Sequence, residues 1–142
     1  MRALLDVNML MALFDPMHTF HAKARSWWAA NQEYGWASSP LTENGFLRNI
    51  SRPAYARPVP MTEARQHLRR WAVPPRHEFW ADDVSILDET QIDHSRLLGP
   101  KQITDICLLA LAVRHGGRLV TLDRRIPFGA VRGASRDNLV SV

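Results

Sequence analysis

Cysteine occurs once in this 142-residue chain, at Cys107, so no internal disulfide can form, which suits a reducing cytoplasm. Lysine is almost missing: Lys23 and Lys101 are the only two, and positive charge is otherwise carried by arginine, the better bidentate partner for phosphate and carboxylate. No apolar run approaches membrane-spanning length. The apolar residues after Met1-Arg2 are interrupted at once by Asp6 and Asn8, which is not the pattern of a secretory signal. The expectation is a cytoplasmic protein without a membrane association. Glycine is sparse, with 7 residues, and none of them builds a phosphate-cradling loop or a nucleophile elbow. Repeats and low-complexity segments are also lacking.

What is present fits one globular domain spanning residues 1–142, with 46% hydrophobic residues and a net charge of 18 − 14 = +4. The charge is blocked. Arg48 to Arg76 holds seven arginines and one acid, Glu63; Glu78 to Asp93 holds six acids and no base; Arg114 to Arg136 holds six arginines and one acid, Asp123. Two basic stretches around an acidic site suit a polyanion held near a cation, although charge runs are also ordinary solvated surface.

Along the chain, strands alternate with helices. Residues 3–6 read as a buried strand and Val7 to Leu13 as a helix stopped by Asp15-Pro16. His18 to Gln32 reads as a second helix with Phe20, Ala24, Trp27 and Trp28 as its apolar stripe. A short strand at 35–38 precedes Ser39-Pro40, a hydroxyl cap followed by proline in the first turn. That helix runs to about Arg52-Pro53. Thr62 to Val73 is the next helix, and Glu78-Phe79-Trp80 a candidate strand. Residues 82–100 resist assignment. Ile103 to His115 is a helix closed by Gly116-Gly117, and Arg118 to Leu122 and Asn138 to Val142 are strands. The pattern predicts an α/β fold, a central parallel sheet of about four to five strands with helices on both faces. Sites in such folds form at the carboxyl ends of the strands.

Four acids sit where apolar segments begin or end. Asp6 follows Ala3-Leu4-Leu5, Asp123 follows Leu119-Val120-Thr121-Leu122, and Glu43 and Asp105 lie just inside helix starts. Carboxylates pressed against apolar segments are costly unless paired or metal-bound. Oxygen ligands without His or Cys select Mg²⁺, or Mn²⁺ as a substitute, over zinc. Each acid taken singly is also explained as a helix cap or turn residue.

The strings Leu4-Leu5-Asp6-Val7-Asn8, Leu41-Thr42-Glu43-Asn44-Gly45-Phe46-Leu47-Arg48, Ile103-Thr104-Asp105 and Leu119-Val120-Thr121-Leu122-Asp123 resemble the four acidic motifs of the PIN domain. More narrowly, the chain resembles VapC toxins, the ribonuclease half of type II toxin–antitoxin pairs, from residue 3 to the last strand. The resemblance implies a Mg²⁺-dependent endoribonuclease, inhibited by a cognate VapB-type antitoxin and usually a homodimer. It implies that Asp6, Asp105 and Asp123 hold one or two metal ions, with Glu43 as a further ligand or as the base toward water. It also implies hydrolysis of RNA to a 5′-phosphate and a 3′-hydroxyl.

Around these acids, Asn8 is read as orienting a ligand or capping a turn. Thr42 and Thr104 are read as helix caps or site groups, and Arg48 as a phosphate contact or an acid's partner. Arg124 and Arg125 follow Asp123 and either meet RNA or stand in solvent. Cys107 is read as core, the five tryptophans mostly as core or interface, and His18 and His21 as no metal site, lacking acidic partners. Two other readings remain open. One is a haloacid-dehalogenase-like phosphatase, against which Asn8 stands where a second aspartate belongs. The other is a non-catalytic RNA- or partner-binding module, which has no need of a costly acidic cluster.

Overall fold

The computed structural model describes all 142 residues. Neighbouring residues of a strand point to opposite faces, and in this chain that alternation sorts the core into two layers. In the first strand, β1 (Ala3–Leu5), Ala3 and Leu5 join one apolar cluster and Leu4 the other. Trp36 and Ala37 of β2 (Trp36–Ser38) divide in the same way, as do Val120 and Leu119 of β4 (Arg118–Thr121). A strand covered on both faces is largely apolar, and all of β1 and β2 is buried, with only Ser38 polar among them.

Two further strands, β3 (His77–Phe79) and β5 (Leu139–Ser141), complete a five-stranded sheet of order β3-β2-β1-β4-β5. Every pairing is parallel. One layer is built from α1 (Val7–Phe14), α2 (His21–Asn31), α3 (Pro40–Ser51) and α4 (Met61–Trp71). The other is α5 (Ile103–Arg114) with the segment around Ile126 to Val131. The parallel sheet with helices on both faces is the architecture expected from the alternation of elements.

The chain lays down β1, β2 and β3 outward in one direction, then returns to place β4 on the other side of β1. The strand order therefore reverses between β1 and β4. That reversal is a switch point, the place beside which open α/β sheets bind ligands.

Helix α3 starts as its sequence dictates. Thr42 N–H donates to Ser39 Oγ at 3.4 Å, Ser39 N–H donates to Thr42 Oγ1 at 2.9 Å, and Pro40 occupies the first turn. Gly45, further along α3, allows that helix to press on α1: a Cβ there would meet Val7 Cγ2 at 2.5 Å.

Two details differ from the periodicity. Helix α2 begins at His21, because Phe20 N–H donates to His18 Nδ1 and His18 N–H to the Asp15 carbonyl, which turns residues 15–20 into a bend. Phe20 is consequently 45% exposed instead of heading an apolar stripe, while Ala24 and Trp28 are buried. Residues 82–100 contain no α-helix and one short 3₁₀ turn, at His94–Arg96, with a second opening at Pro100. Side-chain bonds brace this stretch, with Asp88 accepting from Thr90 N–H and Asp93 from Ser95 N–H.

Candidate active site

Asp6 is the residue between β1 and α1. Its Oδ1 caps the helix by accepting from Val7 N–H at 2.6 Å, and its Oδ2 accepts from the Thr121 hydroxyl at 2.7 Å. Only 6% of the residue is exposed. Thr121 closes β4 and is fully buried. Having given its single proton to Asp6, it accepts from Asn8 Nδ2 at 2.9 Å and from Asp123 N–H at 3.1 Å. Asn8 Oδ1 in turn accepts from Leu122 N–H at 3.0 Å. The loops after β1 and β4 are thus stitched together at the switch point, with Thr121 as the shared atom. Asn8 is bonded to the Thr121 hydroxyl and to the Leu122 N–H, and its amide also acts to lower the pKa of Asp6.

Asp105 enters from the first turn of α5, on the other side of the sheet from α1. Its pKa is pushed up to about 6, first by burial and then by the charges of Asp6 and Asp123. Asp6 is also raised, chiefly by burial, with Asp123 adding to the effect and the bonds from Thr121 and Val7 opposing it. These three aspartates, from positions 6, 105 and 123, therefore share one electrostatic environment. Neither Asp6 nor Asp105 is in an ion pair, and Asp123 has only the long 3.5 Å contact to Arg125 Nε, on a side chain that is 89% exposed.

Glu43 is placed differently. It lies on the first turn of α3, and its Oε1 accepts from the Ser38 hydroxyl at 2.6 Å. Its charge is not among those that act on Asp6 or Asp105. No three His, Cys, Asp or Glu side chains close into a ready-made cage. The donor chemistry nonetheless fits a hard divalent cation, because the acids gathered at this corner offer oxygen alone and no basic side chain is paired with Asp6 or Asp105.

An open cleft of about 340 Å³ adjoins Asp105 and Asp123, and its remaining wall includes Leu98, Lys101, Gln102 and Arg125. Gln102 Nε2 donates to the Arg125 carbonyl at 3.2 Å and ties the two sides of the cleft. A second cleft, also about 340 Å³, lies among α1, α2, α3 and α4 and contains no carboxylate.

The other sequence candidates are distributed around this corner. Thr42 is a buried helix cap, bonded to Ser39. Thr104 is exposed at the start of α5, where no side-chain cap bond forms. Arg48 and Arg124 are exposed, and neither forms an ion pair. Cys107 is half-buried, its thiol pushed up by burial and by Asp82, which keeps it protonated. His21 is bonded through Nδ1 to the Ala12 carbonyl. Three residues at the corner escaped sequence reasoning: Thr121, Ser38 and His77. The available signal was a hydroxyl ending an otherwise apolar strand, at Ser38 and again at Thr121.

Comparison with known proteins identifies the family. The PIN domain profile matches residues 3–133. Ribonuclease VapC44 of Mycobacterium tuberculosis is 51% identical over 142 residues, covering all of both chains. Ribonuclease VapC38 of the same organism is 44% identical over 122 residues, 85% of this chain and 84% of the relative, and ribonuclease VapC39 is 39% identical over 135 residues, 94% and 96% of the two. A chain in the crystal structure of VapBC2 from Rickettsia felis bound to a DNA fragment from their promoter superposes with a TM-score of 0.59. At 13% identity, over 100% of this chain and 98% of that one, it shows a shared fold. With the acidic corner at the switch point and full-length identity of this order, the chain belongs to the PIN-domain family, among the VapC ribonucleases.

Proposed function

We propose that this protein is the toxin of a VapBC-like type II toxin–antitoxin pair, a Mg²⁺-dependent endoribonuclease that hydrolyses RNA phosphodiester bonds at Asp6, Glu43, Asp105 and Asp123. The observation that carries the reading is the meeting of three buried or half-buried aspartates from three elements, with no basic side chain paired to Asp6 or Asp105. A protein that only needed stability would gain by replacing such a group. The identity to named ribonucleases supports the same reading.

Asp6, Asp105 and Asp123 are the residues that would hold Mg²⁺, with Mn²⁺ as a substitute, and Glu43 serves as a further ligand or as the base toward water. Bound there, the cation supplies charge neutralisation for the phosphodiester and a more acidic water. The protein's own part is orientation. Thr121 fixes one oxygen of Asp6 and the Val7 N–H fixes the other. Lys101 and Arg125 stand on the cleft wall beside Asp105 and Asp123, where they meet phosphates flanking the scissile one. Arg48, Arg124 and Thr104 are more distant contacts for the same strand.

The partners of this reading are RNA as substrate and a VapB-type antitoxin, which neutralises the enzyme; the protein works as a homodimer in the cytoplasm, with residues 1–142 forming a single PIN domain. No helix is long and apolar enough to cross a membrane. The test is cleavage of total cellular RNA by the purified protein with Mg²⁺ and with EDTA, beside Asp6→Asn. Discrete products requiring both the metal and Asp6 are expected. Folded protein that cleaves nothing, or cleaves equally in EDTA, would contradict the reading.

A further inference from the structure

Ser38 ends β2 with its side chain fully buried, and its Oγ has two partners: Glu43 Oε1 at 2.6 Å and His77 Nε2 at 2.8 Å. A serine hydroxyl has one proton to give. An ionised Glu43 has none, so the serine proton points to Glu43, and a contact of 2.6 Å falls in the range of hydroxyl–carboxylate bonds. Oγ is then an acceptor toward His77, and the proton between them belongs to Nε2. The chain of donors runs His77 to Ser38 to Glu43. This order differs from a nucleophile's arrangement, in which the hydroxyl would give its proton to the imidazole.

Local structure does not require this chain of bonds. The start of α3 is already satisfied by the reciprocal Ser39–Thr42 bonds and by Asp82, whose Oδ2 accepts from Leu41 N–H at 3.0 Å. The imidazole is held independently, across from Trp36 in the β2–β3 register, with the two rings 4.4 Å apart at 54°. The hydroxyl, the imidazole and the glutamate come from three separate elements and converge on one atom. Glu43 Oε1 is thereby occupied, while Oε2 has no hydrogen-bond partner within the protein.

We propose that His77 and Ser38 are positioning residues for Glu43, a two-bond relay that fixes one carboxylate oxygen and leaves the other free for the acidic corner. This rests on the reading of Glu43 as a site acid. Partners that orient a site carboxylate in this way typically account for about 10–100-fold in affinity or activity.

Two measurements on the full-length protein test it. The first is the tautomer of His77 by long-range proton–nitrogen NMR, which needs no substrate or metal. The relay requires the neutral ring to be protonated on Nε2, and a ring protonated on Nδ1 would overturn it. Burial, the main influence on His77, lowers its pKa, so the neutral form is present at neutral pH.

The second is steady-state cleavage by His77→Phe, His77→Gln and Ser38→Ala, each checked for an unchanged melting transition. Phenylalanine keeps a ring against Trp36 and removes the donor; glutamine restores an N–H at similar reach. The expected result is a fall in kcat of about tenfold or more for His77→Phe and Ser38→Ala, with KM little changed. Recovery in His77→Gln is expected, with no added loss when Ser38→Ala and His77→Phe are combined. Folded His77→Phe with wild-type kcat would overturn the relay. Wild-type protein that cleaves no RNA would instead contradict the nuclease reading, and the tautomer would still report on the bonds.

Discussion

Two places in this molecule bury an aspartate at the edge of α1, and they treat it in opposite ways. At the end of the helix, Asp15 is 5% exposed and accepts from Arg57 Nε at 3.0 Å and from the Tyr55 hydroxyl at 2.5 Å. The Arg57 guanidinium holds its carboxyl well below the usual carboxylate range. At the start of the helix, Asp6 is as deeply buried but has hydroxyl and amide partners only, and its nearest charges are other acids. The first arrangement is complete within the protein and closes the loop after α3 against α1. The second is electrostatically incomplete, as the proposed site for an external cation requires. Burial alone separates neither case; the presence or absence of a protein counter-charge does.

The sharpest way to break the comparison is to neutralise one acid of each kind. Asp6→Asn or Asp105→Asn should abolish RNA cleavage, by about 10³-fold or more given the charge stabilisation a metal centre provides. Asp15→Asn should leave the specific activity of folded protein unchanged. A smaller effect is expected from Thr121→Val, which keeps the shape and removes the hydroxyl shared by Asp6, Asn8 and Asp123. Divalent-metal affinity, read by calorimetry, should fall by about 10–100-fold. Gly45→Ala comes next: its new methyl would run into Val7 beside Asp6, and about 1–3 kcal/mol of stability should be lost in chemical denaturation. Asp15→Asn should cost less, lowering the melting temperature by about 4 °C, because the Arg57 side chain is 43% exposed and its pairing is screened.

The pH dependence separates the two aspartates by sign. Burial and the neighbouring acids push Asp105 up to about 6 in the folded protein, against 3.8 for a free aspartate, so folding favours its protonated form. Without divalent metal, its contribution to stability is fully present below about 3.8 and is lost as pH rises through about 6. Asp15 is depressed, so its contribution is present above 3.8 and is lost only as the pH falls toward its folded value. Denaturation followed between pH 7 and 5 in EDTA should show a stabilising increment on acidification that shrinks in Asp105→Asn, where only the raised Asp6 remains, and persists in full in Asp15→Asn.

The sequence made the acids legible because each interrupts or borders an apolar run, and because β1 and β4 are apolar enough to be recognised as buried. The sheet followed from the alternation of such runs with helical stretches. What stayed hidden was pairing across distance. Thr121 reaches Asp6 over 115 positions, and His77 meets Ser38 over 39; no local spacing announces either contact. Glu43 was legible as an acid at a helix start, but its engagement by Ser38 was not. The stretch 82–100 has no periodicity to read, since Asp88 and Asp93 hold it in turns through side-chain bonds. Phe20 carried a helical pattern into a bend set by His18, which is why its exposure was not foreseen.

The most direct test of the central claim, that Asp6, Asp105 and Asp123 form one unbalanced cluster awaiting a divalent cation, is a carboxyl-carbon NMR titration of Asp105 with and without Mg²⁺. A titration near pH 6 in EDTA is expected, moving to markedly lower pH when Mg²⁺ is added, with the shift absent in Asp6→Asn. An Asp105 that titrates in the ordinary aspartate range and ignores Mg²⁺ would contradict it.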